Sequence, residues 1–379
     1  MDATLYRYTQ EGGWQPPFDS SLDGENTLVL YFSDLPGSRA DAPLEGLKAA
    51  FPRSVMAGCS TAGQIHRQHY VEQGASAAVI RFHRSRLRLS HVDIGDHEDF
   101  QAAGEALVKP LDRPDLAAVL ILSEGLQVNG SAVMEGVNRV LEGRVPVTGG
   151  LAADGARFER TWVLSEGERV SGRICAVGIL GDALGVGHGS FGGWDVLGPE
   201  RLVTRSEGNR LFELDGQPAL QLYKRYLGEK AAELPASGLL FPLALRRQED
   251  DREPKVRTIL AVDEASQSMT FAGDIPQGSY VQLMYANLDR LVEGAGRALE
   301  DFDAAEVGER PLVCLAVSCV GRRLILGQRI EEEIEALAER LPPQTRLLGF
   351  YSYGELSPLA SGRCDLHNQT MTVTLWWER

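Results

Sequence analysis

An α/β architecture of mixed sheets covered by helices, divided into two domains, is the fold expected of this chain, on three observations. Short apolar runs that read as buried strands occur three times. Each is followed by a helical pattern, and each helix leads to an apolar strand, a glycine turn and a further strand. The length of 379 residues also exceeds what one ordinary core organises.

The three opening strands are LVLYFSD (28–34), AAVLILSEG (117–125) and PLVCLAVSCVG (311–321), rich in Leu, Val and Ile and ending in small or polar residues. The helix after the first, PLEGLKAAFP, is weakly patterned. After the second, SAVMEGVNRVLEG puts Val133, Val137, Val140 and Leu141 on one stripe, with Ser131 as the expected N-cap. After the third, IEEEIEALAERLPP aligns Ile330, Ile334, Leu337 and Leu341. Its early glutamates suit a helix N-terminus, and Pro342 and Pro343 stop it. The turns that follow are RSVMAGCSTAGQI, RVPVTGGLAADGARF and TRLLGFYSYGELSP, and the closing strands are ASAAVIRF, RICAVGILG and QTMTVTLWW. Together these predict a repeated strand–helix–strand–turn–strand unit.

The interval between the second and third units is about twice that between the first and second, so extra material lies between them. It begins with GVGHGSFGGWDVLGP (185–199), glycine-rich and read as irregular. A hairpin turning at Glu207-Gly208-Asn209, a turn at Asp215-Gly216 and a helix with Pro218 near its first position follow. A second amphipathic helix, YANLDRLVEGAGRALEDF, precedes the third unit, and the charged run RRQEDDREPK (246–255) reads as a solvated hairpin tip. The division is placed near 200–220, giving an N-terminal extension (1–24), a first domain (25–215) and a second (216–375).

With 38 Lys and Arg against 53 Asp and Glu, the formal charge is −15, which argues against generic nucleic-acid binding. The one basic stretch, RFHRSRLRLSH (81–91), alternates with leucines and reads as a solvated sheet face rather than a docking surface. Five cysteines, an odd number in a large chain, point to a reducing compartment. MDATLYRYTQEGGW lacks a signal-peptide pattern, and no apolar run approaches the roughly 20 residues of a membrane helix. A cytoplasmic protein is expected.

The stretch AGCSTAGQI (57–65) looks reactive. A nucleophilic Cys59 needs a lowered pKa and an oriented base. His66 and His69 are near in sequence, but the strand they occupy runs away from the turn, and the other two turns carry no cysteine there. The alternatives remain an enzyme using Cys59 (or Ser60 with a distant base) and an interaction scaffold whose turns are purely structural. The binding reading explains more, because strand ends rich in glycine and hydroxyl residues expose N–H groups that cradle small anions. Three such turns facing one crevice would contribute Cys59, Ser60 and Thr61, then Gly149, Gly150 and Asp154, then Tyr351, Tyr353 and Glu355. Arg322 in SCVGRR could pair with a ligand carboxylate or a surface acid, and Glu355 could accept an amine. Asp154 is also simply an Asp-Gly turn residue. No His/Cys/Asp cluster shows metal-ligand spacing.

These stretches carry a resemblance. GCSTAGQI resembles the hallmark turn of the FIST N-terminal domain, and GGWDVLGPERLVTRSEGNRLFELDGQPALQLYKRYLG is similar to the segment joining FIST N and C domains. SCVGRRLILG, GFYSYGELSP and HNQTMTVTL resemble the FIST C domain, so the likeness runs from about residue 25 to 375. Gln64 departs from the family, which commonly has a glutamate there. The resemblance implies a stand-alone sensory protein without catalytic function that binds a small, amino-acid-like molecule and signals through a separate partner. Some stand-alone members are haem proteins that sense nitric oxide and regulate a histidine kinase or cyclic-di-GMP enzyme, and a homodimer would suit such a sensor. For haem b the candidate axial ligand is His188 in GVGHGSFGGW, whose glycines could let a flat macrocycle approach, with Phe191 and Trp194 near. His66, His69 and His83 are weaker candidates, and His367 is expected to hydrogen-bond structurally.

Overall fold

The computed structural model describes residues 1–97, 99–246 and 254–379. Three units follow one another. The first has β1 (Asp2–Thr9), β2 (Gly13–Gln15), β3 (Thr27–Ser33), α1 (Asp41–Ala50), β4 (Val55–Ser60), the ribbon β5 (Gln64–His66) and β6 (His69–Val71), and β7 (Ala75–Arg81). The second has β8 (Arg86–Asp93), α2 (Phe100–Val108), β9 (Leu116–Ser123), α3 (Gly130–Leu141), β10 (Val147–Leu151), the ribbon β11 (Val163–Ser165) and β12 (Glu168–Val170), and β13 (Arg173–Leu180).

The third unit starts at β14 (Leu184–Phe191) and is interrupted by an inserted sheet. The insert holds β15 (Asp195–Glu207), β16 (Arg210–Leu214), β17 (Gln217–Pro218), α4 (Ala219–Leu227), β18 (Leu243–Arg246), β19 (Lys255–Arg257), β20 (Ile259–Asp263), β21 (Ser268–Phe271) and β22 (Tyr280–Tyr285). The unit resumes with α5 (Leu288–Arg297), β23 (Leu312–Cys319), α6 (Val320–Leu326), α7 (Ile330–Ala338), β24 (Thr345–Ser352), the ribbon β25 (Gly354–Pro358) and β26 (Cys364–His367), and β27 (Met371–Glu378). The division expected near residues 200–220 falls inside this insert.

The sheets run β12-β11-β4-β3-β7-β1-β2, β26-β25-β10-β9-β13-β8 and β14-β27-β23-β24-β5-β6, beside the insert's own sheet. Each of the three contains one parallel pair, β3/β4, β9/β10 or β23/β24, flanked by an antiparallel strand. The ribbons are exchanged: β5 pairs with β24, β11 with β4 and β25 with β10. Every unit therefore completes another unit's sheet. The apolar inner faces meet in one core that draws Leu30 and Phe32, Leu120 and Leu122, and Val317, Phe350 and Trp376 from the three units. Phe32 stacks on Phe350 with centroids 4.5 Å apart.

Gly58, Gly149 and Gly349 occupy one register, opposite Tyr31, Ile121 and Ala316 of the neighbouring parallel strand. A Cβ at these glycines would lie 1.9, 1.8 and 2.1 Å from the partner residue's carbonyl oxygen. Gly149 is thus required by strand packing, and a Cβ on Gly150 would meet Val317 at 2.8 Å.

Several expectations need correction. Residues 184–191 of the glycine-rich stretch form a regular strand, β14, paired along its whole length with β27. It tolerates glycine because Gly185 faces Trp377, Gly187 faces Leu375 and Phe302, and Gly189 abuts the Ala298 carbonyl. The N-cap of α3 is Asn129, whose side chain accepts from Ala132 N, and not Ser131. Most of the run 246–255 lies outside the described residues. In β8, Arg86 and Arg88 are exposed while Leu87 and Leu89 pack against the central core, as the alternation requires. The five cysteines are unpaired and buried. No described helix is long and apolar enough to cross a membrane.

Replacing Gly349 by alanine is expected to cost about 3 kcal/mol in urea denaturation, because its clash is with backbone. Gly172→Ala, at φ +72° but in open space, is expected to cost about 1–2 kcal/mol.

Candidate functional site

The turns that leave the three parallel pairs are hydrogen-bonded to one another. Ala62 N donates to the Tyr351 carbonyl at 2.8 Å, Tyr351 N to the Gly63 carbonyl at 2.9 Å, and Ala153 N to the Ser60 carbonyl at 2.9 Å. The expectation that the turns face each other is met, but their side chains divide among different environments.

Where β3 and β4 end, a cleft of about 420 Å³ opens. Ser60, Thr61 and Asp154 line it, together with Asp34, Arg157, Arg160 and Trp162. Ser60 Oγ accepts from Trp162 N at 3.1 Å, and Thr61 Oγ1 accepts from Gln64 Nε2 at 2.9 Å. Asp154 organises the outer wall. Its carboxylate accepts the backbone N–H groups of Phe158, Glu159 and Arg160, each at 3.0 Å, and the Tyr353 hydroxyl. Burial alone would raise its pKa, but these donors outweigh burial and hold the carboxyl below its usual range. The loop from 154 to 162 is wound round this one anion, and Phe158 stacks on Tyr353 at 4.7 Å.

Arg157 and Arg160 project from that loop. Arg157 Nε lies 3.9 Å from Asp154, and Arg160 Nε donates to Ser171 Oγ at 3.3 Å, which leaves most of both guanidinium donors unused. Opposite them, Asp34 accepts from Gln73 N and Gly74 N at 2.7 and 2.9 Å, while Asp41 pairs with Arg169, which itself lies over the Trp162 ring. The cleft lining therefore holds both cationic donors and carboxylates.

The remaining candidates stand elsewhere. Cys59 is fully buried in the central core, and burial pushes its thiol well above the ordinary range, the opposite of what a nucleophile needs. Arg322 and Tyr351 are also fully buried. Arg322 meets Glu333 at 2.8 Å and donates to the carbonyls of Gly192 and Leu291, while the Tyr351 hydroxyl donates to Glu333 at 2.9 Å. Arg322 is thus committed to an internal ion pair rather than to a surface acid or an open cleft. Glu355 accepts from Ser352 Oγ, Thr370 N and Thr370 Oγ1 at 2.8, 3.2 and 2.9 Å. Gln64 holds the register in β5 that Glu355 holds in β25, and its Oε1 is buried without a partner.

Among the histidines, His367 Nε2 contacts the Ser357 carbonyl at 3.1 Å, and burial depresses its pKa to about 4. Burial likewise lowers His66 to about 4. His69 pairs with Glu331, and His83 with Asp2. His188 is exposed on β14 beside a separate cleft of about 790 Å³. At its flanking glycines the Cβ side is filled, by Leu375 and Phe302 at Gly187 and by the Ala298 carbonyl at Gly189, while both glycines also line that cleft. No described group of His, Cys, Asp and Glu could hold a metal ion.

Arg157, Arg160 and Glu333 were missed by sequence reading. A signal for Glu333 exists: it lies three residues after Ile330 and four before Leu337, on the apolar stripe of α7. For the arginines there was none beyond their nearness to the Asp154 turn.

Burial pushes Glu355 up to about 8, against the pull of its Ser352 and Thr370 donors. A carboxyl whose folded pKa lies above its unfolded value binds its proton more tightly when native, so folding loses stability as pH rises. Urea titrations from about pH 5 to about pH 8 are expected to show wild type losing ground to Glu355→Gln, by at most roughly 1.4 kcal/mol per pH unit. A constant difference across that window would contradict the assignment.

Comparison with known proteins places this geometry. The FIST N domain pattern matches residues 27–217 and the FIST C domain pattern matches 219–358. An uncharacterized protein of Methanocaldococcus jannaschii is 23% identical over 387 residues, covering 91% of this chain and 72% of that protein. Among solved structures, a cyanuric acid hydrolase from A. caulinodans aligns over 100% of this chain and 99% of its own, at 9% identity and a TM-score of 0.38, too low to carry an argument. Domains of the FIST type are sensory, small-ligand-binding modules of signalling proteins, and this chain, matched across both of them, belongs to the FIST family.

Proposed function

We propose that this protein is a small-molecule sensor whose ligand, a zwitterion of the amino-acid class, occupies the cleft at the ends of β3 and β4. Its bound state would be read by a separate signalling protein, such as a histidine kinase or a cyclic-di-GMP enzyme. The observation that carries this reading is the loop wound round Asp154, which brings Arg157 and Arg160 to a cleft that Ser60 and Thr61 also line. Two guanidinium groups match a carboxylate, and Asp34, whose partners are the backbone N–H groups of Gln73 and Gly74, suits an ammonium. A space of about 420 Å³ falls within the range of small-molecule pockets. The Tyr353 hydroxyl on Asp154 links the loop to the third unit, so a change in the loop has a route to a distant surface.

A haem-dependent, nitric-oxide-sensing version has one structural handle, the exposed imidazole of His188, and is opposed by the filled glycine faces around it. It requires a Soret band from protein made with haem supplied, lost or shifted in His188→Ala.

The main reading is tested by thermal denaturation with each common amino acid in turn. A ligand that binds only the native state raises Tm as its concentration passes its Kd. Arg157→Ala and Arg160→Ala are each expected to weaken the binder about tenfold or more, as loss of a charge-assisted hydrogen bond does. A screen in which no amino acid moves Tm, or variants that bind as well as wild type, would sink it.

A further inference from the structure

We propose that the outer edge of β14 is a docking site for an extended, basic segment of a partner protein, which adds to the sheet as a further strand. This does not rest on the ligand cleft at β3 and β4, which is built from other elements.

Two of the terminal strands of the described sheets are eight residues long, β8 and β14; the others have five residues or fewer. A long open edge invites pairing with other chains, and proteins blunt it with charged side chains or proline. The edge of β8 is protected in this way, by Arg86, Arg88 and Asp93. That of β14, LGVGHGSF, has neither an acidic nor a basic residue of the Asp, Glu, Lys or Arg type, and no proline. Among the described residues its one partner strand is β27, so alternate residues turn their N–H and C=O groups outward.

The space beside this edge has the shape and charge of a strand-binding groove. The cleft of about 790 Å³ runs along residues 186–194. Val256 and Met284 contribute apolar surface, Pro358 lies on one side, and the segment after α5 brings the exposed acids Asp301, Asp303 and Glu306. The cations in the same lining have acidic partners: Arg297 pairs with Glu300 and lies over Phe191 at 4.1 Å, and Lys255 pairs with Asp365. A bound strand would place alternate side chains against Val256 and Met284 and the others near the acidic rim. Charge complementarity therefore selects lysine or arginine at the second set of positions. The backbone groups of β14 would supply register.

The test uses the full chain and a labelled peptide, acetyl-(Val-Lys)₃-amide, with fluorescence anisotropy and amide hydrogen exchange as readouts. Saturable binding is expected, with slowed exchange confined to 184–191. The acidic peptide acetyl-(Val-Glu)₃-amide should not bind. N-methylation of alternate peptide amides, which removes strand pairing but keeps the charge, should weaken binding at least tenfold. The double variant Asp301→Lys/Glu306→Lys should weaken it similarly while its circular dichroism is unchanged. The proposal is overturned by failure of the Val-Lys peptide to bind, by equal binding of its N-methylated form, or by protection elsewhere. It is equally overturned if sedimentation shows a dimer whose β14 amides are already protected, since a second copy of the chain would then hold the edge.

Discussion

Ribbon exchange ties the molecule together: β5 completes the sheet of β24, β11 that of β4, and β25 that of β10. Each ribbon leaves its own parallel pair through a turn and pairs in another sheet. A unit by itself would thus expose an unpaired strand edge and an uncovered apolar face, both costly in water. The shared core of Phe32, Leu122, Phe350 and Trp376 forms only when all three sheets close on it. The same exchange brings the three turns to a common centre, where their backbone groups satisfy one another.

Closing the sheets this tightly has chemical consequences. At Gly58, Gly149 and Gly349 the strand backbones approach too closely for any side chain. Where polar groups are carried inward they must find partners. Arg322 and Glu333 do so with Ser318, Tyr351 and two backbone carbonyls, which fastens α7 to the junction with the insert. Glu355 instead relies on hydroxyl and amide donors, and burial keeps it readily protonated. The corresponding crevice of the first unit, with Thr61 and Gln64 in place of Ser352 and Glu355, adjoins the open cleft. Equivalent positions in a repeated scaffold have therefore diverged, one into a buried network and one into the margin of an open cleft.

Asp154 shows how the cleft is held. A single buried carboxylate takes three consecutive backbone N–H groups and a tyrosine hydroxyl, and in doing so gives a loop without regular structure a defined path. The arginines on that loop are carried there by its backbone, with Arg160 also held by Ser171 and Arg157 lying near Asp154. Ligand selectivity at such a site would follow from loop geometry as much as from side-chain identity.

The sequence by itself determined the mixed α/β class, the parallel strands with their glycine turns and the FIST relationship, because buried parallel strands and amphipathic helices leave periodic apolar patterns, but it did not show the ribbons inserted before each closing strand. It also marked Ser60, Thr61 and Asp154, whose residue types suit strand ends and turns. Only the tertiary structure decided that ribbons cross between sheets, since pairing partners separated by nearly 300 residues leave no local signal. It alone showed that Arg322 is spent on Glu333 and that the Cβ sides of Gly185 and Gly189 are filled by Trp377 and the Ala298 carbonyl. A side chain's chemistry is written in the chain, but whether it meets solvent, a ligand or a buried partner is fixed by which distant backbone closes over it.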